Sequence, residues 1–224
     1  MMDLIPFALK DAPALIESVF PAQKVSFESQ RERKANLGQT LTGLGSYWKG
    51  RKPLILVRAI ILGSLLPATG NAQKDLEVFE ALMAFDDVGL SRRAVVHKLI
   101  KPKEIAAVIR LDKPWQYFTY KLKRSELSAG DFSHRGFPLD ADAEGIEIKW
   151  QSGTTDDDKA LMIQKYLATF ASYEEKSLLG KRPEEVEQTW LYQPIWTAVN
   201  SHLVHLGINA KSHQELVEQL GILR

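Results

Sequence analysis

The chain has 224 residues, 45% of them hydrophobic, with 29 Lys and Arg against 28 Asp and Glu for a net charge of +1. That length supports a core that buries roughly 70% of the unfolded surface without staples, and the near-neutral balance excludes a nucleic-acid role argued from overall charge, leaving only local clustering. Cys is absent, which excludes disulfides, zinc–thiolate sites and thiol nucleophiles and fits a reducing, cytoplasmic setting.

In chain order, Met1 to Lys10 lacks a basic region followed by a sustained apolar core, so no signal peptide is expected. Asp11 to Phe20 reads as a short helix closed by Pro21. Ser26 to about Leu37 is polar and rich in helix formers, with Gly38 as its stop. Gln39 to Gly50 holds Gly43, Gly45 and Gly50 among Thr and Ser and reads as a loop. Pro53 suits a first helical position, and Leu54 to Leu66 continues as an apolar helix ended by Pro67. Being apolar nearly all round, that helix is expected at the centre of the core. It contains Arg58 and falls short of the about 20 residues that span a bilayer, so no membrane partner is expected.

Asn71 predicts the cap of a helix reaching about Phe85, with Leu76, Phe79, Leu82 and Met83 on one face. Ser91 to Ile100 and Lys103 to Arg110 follow as short helices, the second begun by Pro102. Gln116 to Lys123 and Gly145 to Trp150 alternate in the strand manner, with a loop over Ser125 to Asp142 between them. Thr155 before Asp156, Asp157 and Asp158 predicts a helix start, continuing to about Tyr173. Thr189 to Leu206 reads as a helix broken early by Pro194, and Ser212 with Glu215 forms a capping box ahead of a terminal helix. The expected fold is mainly α with a small central β element (α+β), with helices around one apolar central helix at about 54–66. It is read as a single domain over 1–224, with a helical region over 1–112, a β-containing segment over 113–150 and a C-terminal helical region over 151–224.

Local charge is the main functional signal. From Arg31 to Arg58 the basic residues are Arg31, Arg33, Lys34, Lys49, Arg51, Lys52 and Arg58, and Glu32 is the sole acid. Cations at this density, beside Gly residues, suit phosphate, and Tyr47 and Trp48 could stack on bases at roughly 1–3 kcal/mol per base. The plainer alternatives are a solvated helix face for Arg31 to Lys34 and a core position for Trp48. Arg58, on an apolar helix, needs an acidic partner or must reach a cleft. Trp190, Tyr192 and Trp196 are either core or a contact face.

Other signals are bland. Asp156 to Asp158 are explained by helix capping. His202, His205 and His213 lack an acid at zincin spacing, and His97 has no triad context, so no metal ligands are assigned. Leu44-Gly45-Ser46 has the wrong spacing for a dinucleotide fingerprint, and no phosphate loop, nucleophile elbow or methyltransferase catalytic motif is present. The chain taken alone is expected not to be an enzyme.

Phe20-Pro21, Val25-Ser26, Ser29 and Arg31-Glu32 resemble the opening of an uncharacterised domain at the N-terminus of large adenine-specific DNA methyltransferases, often encoded in anti-phage defence islands. That family continues with a Trp-Trp-Ala-Arg-Arg-Pro run and then a helix carrying Arg-Ala and ending Ser-Leu-X-Pro. Here Trp48, Arg51 and Pro53 fit the run, while Lys49, Gly50 and Lys52 replace its second Trp, its Ala and its second Arg. Arg58-Ala59 and Ser64-Leu65-Leu66-Pro67 fit the helix. The stretch from Arg182-Pro183-Glu184-Glu185 through Trp190 to Leu220-Gly221-Ile222-Leu223-Arg224 is similar to the phage-defence branch, in which the S-adenosylmethionine loop follows.

The resemblance implies a non-catalytic N-terminal accessory domain of a DNA adenine methyltransferase, in restriction-modification or anti-phage defence. It binds no cofactor itself, S-adenosylmethionine belonging to the catalytic domain. The expected partners are DNA, met by Arg31, Arg33, Lys34, Tyr47, Trp48, Lys49, Arg51, Lys52 and Arg58, and the methyltransferase catalytic domain. The alternative is a scaffold that docks, through Trp190, Tyr192 and Trp196, onto the methyltransferase core or other defence-system proteins.

Overall fold

The computed structural model describes residues 12–37, 52–111, 113–122 and 146–223. Among these residues the chain forms, in order, helices α1 (Leu15–Ser18), α2 (Ala22–Leu37), α3 (Leu54–Leu65), α4 (Ala72–Met83), α5 (Asp87–His97) and α6 (Pro102–Val108). Strands β1 (Phe118–Leu122) and β2 (Ile146–Trp150) follow, then α7 (Asp156–Leu167), α8 (Tyr173–Leu178), α9 (Gln188–Tyr192), α10 (Trp196–His202) and α11 (His213–Leu223). The fold is mainly α with a small two-stranded sheet, as the sequence reads. The chain divides into two compact units, Met1–Gly89 with Arg182–Arg224, and Leu90–Lys181; α5 begins in the first and continues in the second.

In the first unit α3 is the hub, touching α1, α2, α4 and α11. Its inward residues are Ile55, Ala59, Leu62 and Gly63, all buried. Gly63 permits close approach, since a Cβ there would lie 3.3 Å from both Ile16 Cβ and Phe20 Cε2. The one-turn α1 is tied to the end of α3 by Leu15 N–H donating to Leu66 O and Ala68 N–H donating to Pro13 O, each at 2.9 Å. The helix is central to this unit, as its apolar composition leads one to expect, but its apolar residues are not all buried: Leu54, Val57, Ile60 and Ile61 are 64, 39, 46 and 44% exposed. The hub helix buries one face and leaves a second apolar face open. Asn71 caps α4, its Oδ1 accepting from Lys74 N–H at 3.1 Å.

In the second unit β1 and β2 pair antiparallel, Phe118 opposite Trp150 and Tyr120 opposite Ile148. Phe118, Ile146 and Ile148 are buried, and α6 packs on β2 and on α7. Arg93 is wholly buried; its Nε donates to Lys181 O at 2.7 Å and its Nη2 to Ser177 Oγ at 3.0 Å. A cation there answers the Lys181 carbonyl just past the end of α8, where the helix dipole is negative.

Element boundaries differ where side-chain caps intervene. The helix expected from Asp156 to about Tyr173 ends at Leu167, and Ser172 with Glu175 forms a reciprocal cap that starts α8 at Tyr173. The helix expected from Ser91 begins at Asp87, where Asp86 Oδ1 accepts from Gly89 N–H at 3.0 Å. Pro194 falls in a 3-10 turn, Gln193–Ile195, that separates α9 from α10.

One glycine is set by contact. A Cβ on Gly89 would lie 2.6 Å from Ala84 Cα and 2.8 Å from Ala84 C, and Ala84 holds the left-handed cap of α4 with φ 54°. Backbone cannot yield as a side-chain tip would. Gly89→Ala is expected to destabilise by about 3 kcal/mol in urea unfolding, the reverse of the roughly 1 kcal/mol gain that Ala gives in an open helix; an unchanged or raised midpoint contradicts this packing.

Candidate docking face on the apolar helix

Helix α3 has no cap of its own, since Pro53 at its N-terminal boundary offers no side-chain acceptor. The acceptor comes from α2 instead. Glu32, 7% exposed, takes Leu54 N–H on Oε1 at 2.8 Å and Ile55 N–H on Oε2 at 3.2 Å. A carboxylate at a helix N-terminus satisfies orphan donors and meets the positive end of the dipole. The sole acid of the basic run is therefore a structural group. It sits on an inward face of α2 made by Val25, Glu28, Ser29 and Glu32, all buried and spaced i, i+3, i+4, i+7.

This contact ties the N-terminus of α3 to the side of α2 at Glu32, with Arg33 and Lys34 next in sequence to Glu32 and Lys52 two residues before Leu54. All three are exposed. Arg31 turns elsewhere, donating to Glu28 at 3.2 Å. Tyr47, Trp48, Lys49 and Arg51 lie outside the described residues. Carboxylates also gather near this contact. Arg182 donates to Glu185 at 3.0 Å and pairs with Glu184 at 3.3 Å. Burial pushes the Glu184 carboxyl up, with Arg182 opposing and Glu32 and Glu185 adding to the rise. The hydrogen bond with Glu185 is the main reason Arg182 is held above its ordinary value.

Along the open face of α3, Leu54, Val57 and Ile61 recur at i, i+3, i+7, and Ile60 widens the stripe. Single exposed apolar side chains are ordinary, whereas four on one helical face form a patch. Among the described residues no helix is long and apolar enough to cross a membrane. Arg58 flanks the patch. Its Nη1 donates to Tyr192 Oη at 2.8 Å and its Nη2 to Gln188 Oε1 at 3.3 Å. Among the described residues no carboxylate pairs with it. Of the two alternatives for Arg58, an acidic partner is not the one found among the described residues; two neutral acceptors hold the guanidinium.

The C-terminal aromatic residues do not form one exposed stripe. Tyr192 is 2% exposed and lies between Arg58 and His213, with the Tyr192 and His213 ring centroids 4.3 Å apart in an edge-on contact. Trp196 meets the same imidazole edge-on at 5.5 Å. Trp190 is half-buried and donates its backbone N–H to Glu187 at 2.6 Å. The histidines are separately engaged. His202 Nε2 is 2.8 Å from Asp75 Oδ1, while Asp75 also accepts from Thr69 N–H at 2.9 Å and Thr69 Oγ1 at 2.7 Å. Among the described residues no three His, Asp or Glu side chains gather as metal ligands. The arrangement offers recognition chemistry, namely open apolar area, an oriented guanidinium and exposed cations.

Nothing in the sequence pattern assigns His213 a role; the structure gives it one. Its Nε2–H donates to Leu82 O at 2.8 Å, and burial, reinforced by the nearby Arg58 charge and opposed by the Leu82 carbonyl, lowers it to about 4. Because the folded value lies below the unfolded one near 6.5, the unfolded chain takes up the proton more readily. The stabilisation is complete above pH 6.5 and fades as pH falls toward 4, with a limit on the order of 3 kcal/mol. Urea midpoints at about pH 5 and pH 7.5 should therefore separate more for the native chain than for His213→Gln. An equal separation contradicts the buried neutral imidazole.

Comparison with curated proteins and with solved structures gives no match. Residues 19–82 match the family described as Protein of unknown function (DUF1156). The matched span takes in Glu32, the whole of α3 with its open face, Arg58 and nearly all of α4. A DUF1156 domain is therefore present over residues 19–82 of this chain, and it contains the candidate face.

Proposed function

We propose that the chain is a non-catalytic docking module whose open α3 face seats against a partner polypeptide. Following the sequence resemblance, the partner is the catalytic domain of an adenine-specific DNA methyltransferase of restriction-modification or anti-phage defence, and S-adenosylmethionine is bound there. The observation that carries this reading is the exposure of Leu54, Val57, Ile60 and Ile61 on one face of the hub helix. Covering each such side chain contributes roughly 1 kcal/mol or more, enough for four of them to anchor a contact.

DNA contact is the second reading, favoured by exposed Arg33, Lys34 and Lys52 beside the tie at Glu32. Two observations weigh against it as the main role. Arg31 is engaged by Glu28, and Glu184 and Glu185 share the neighbourhood with Arg182. Duplex seeks cations without interleaved acids.

One pair of measurements separates the readings. Val57→Lys with Ile61→Lys, introduced together, should weaken association with the methyltransferase catalytic polypeptide at least about tenfold in calorimetry, with the melting temperature retained because both sites are exposed. Undiminished association contradicts docking through α3. For DNA, anisotropy with a duplex from about 50 to 200 mM salt should show a log–log slope of roughly −0.9 per phosphate engaged. Binding indifferent to salt removes the DNA reading.

A further inference from the structure

Arg58 specifies what the docked surface must carry. We infer that the segment seated on α3 is amphipathic and acidic: apolar side chains cover Leu54, Val57 and Ile61, and a carboxylate pairs with Arg58. This rests on the docking reading and names the chemistry of its partner.

The first ground is position. Arg58 follows Leu54 by four residues and precedes Ile61 by three, so it shares a ridge of the helix with them. A segment broad enough to cover the apolar stripe meets the guanidinium as well.

The second ground is how the guanidinium is held. Tyr192 Oη and Gln188 Oε1 each take one hydrogen bond, and a guanidinium has five N–H donors. The two acceptors orient the group without neutralising it, and among the described residues no carboxylate does so. Orientation in advance removes much of the rotamer entropy that an arginine loses on pairing. Covering this charge with a purely apolar segment would strip its water and give nothing in return. The site therefore accepts an acid and rejects its absence, which is a specificity device as well as a contact.

The third ground is complementarity. Lys52, at the N-terminal side of α3, is exposed, as are Arg33 and Lys34 across the Glu32 contact. A second copy of this face would set Arg58 against Arg58 and is disfavoured by like charge. Duplex could satisfy the guanidinium, but its charged backbone would lie against Leu54, Val57 and Ile61 and gain nothing from them.

The test uses the full chain and three synthetic helical peptides sharing one Leu/Ile face, with Glu, Gln or Lys at the flanking positions. Binding is read by NMR, with the Arg58 Nε–H resonance as reporter. The Glu peptide should bind about tenfold or more tighter than the Gln peptide and shift the Arg58 resonance, while the Lys peptide binds weakest. Arg58→Gln should erase the Glu preference while both the Glu and the Gln peptide still bind, a pattern that a merely misfolded variant would not give. Equal binding of all three peptides, still lost in the Val57→Lys/Ile61→Lys chain, overturns the acidic anchor and leaves docking standing. Failure of every peptide to bind overturns both. A duplex that shifts Arg58 and displaces the Glu peptide overturns the inference in favour of nucleic acid.

Discussion

The Glu32 carboxylate on the first two amides of α3 is the contact on which the rest of the first unit depends. An apolar helix begun by a proline has donors at its N-terminus and nothing local to receive them. Borrowing the acceptor from α2 fixes the two helices end to side. It thereby sets which face of α3 turns inward against α1, α4 and α11, and which stays open. It also explains the burial of polar side chains on α2: Glu28 answers Arg31, Ser29 returns its hydroxyl to Val25 O at 2.7 Å, and Glu32 answers the helix. Buried charge is tolerated where each carboxylate is hydrogen-bonded.

The same geometry separates two kinds of positive charge that look alike in sequence. Arg31 is structural, held by a buried carboxylate. Among the described residues Arg58 pairs with no carboxylate; its neighbours there are a phenol, an amide and, one layer further, a neutral imidazole. His213 belongs to this arrangement, since a protonated ring there would oppose Arg58 and lose the apolar packing of Tyr192 and Trp196. Among the described residues, the groups hydrogen-bonded to Arg58 are thus uncharged, and its positive charge stands at the edge of the apolar face.

Much of this fold is legible in the sequence because short-range signals agree with the final structure. Asn71, Thr155 and the Ser212–Glu215 pair mark real helix starts, and the aromatic and aliphatic alternation around Phe118 and Ile148 marks the sheet. The errors have a common cause. Ser172 and Glu175 pass unnoticed because α7 and α8 share helix-forming composition, and the Asp86 cap is hidden behind a glycine three residues on. For the site, the apolar helix and Arg58 are visible, but hydropathy alone makes α3 a buried element. Which face is open depends on α2, α4 and α11, two of which lie far from α3 or act through side chains distant in the chain. Glu32 reads as a lone acid in a basic run, although its spacing from Val25, Glu28 and Ser29 places it on a single face.

The central claim is that α3 is anchored by a carboxylate from outside itself, and that this anchoring presents its open face. Amide hydrogen exchange at Leu54 and Ile55, compared between the native chain and Glu32→Ala, tests it most directly. Protection at these two amides should match the α3 interior in the native chain and fall by about tenfold or more in the variant, as expected for a lost charged hydrogen bond. Fast exchange at both amides in the native chain, or protection unchanged by the substitution, would contradict the account.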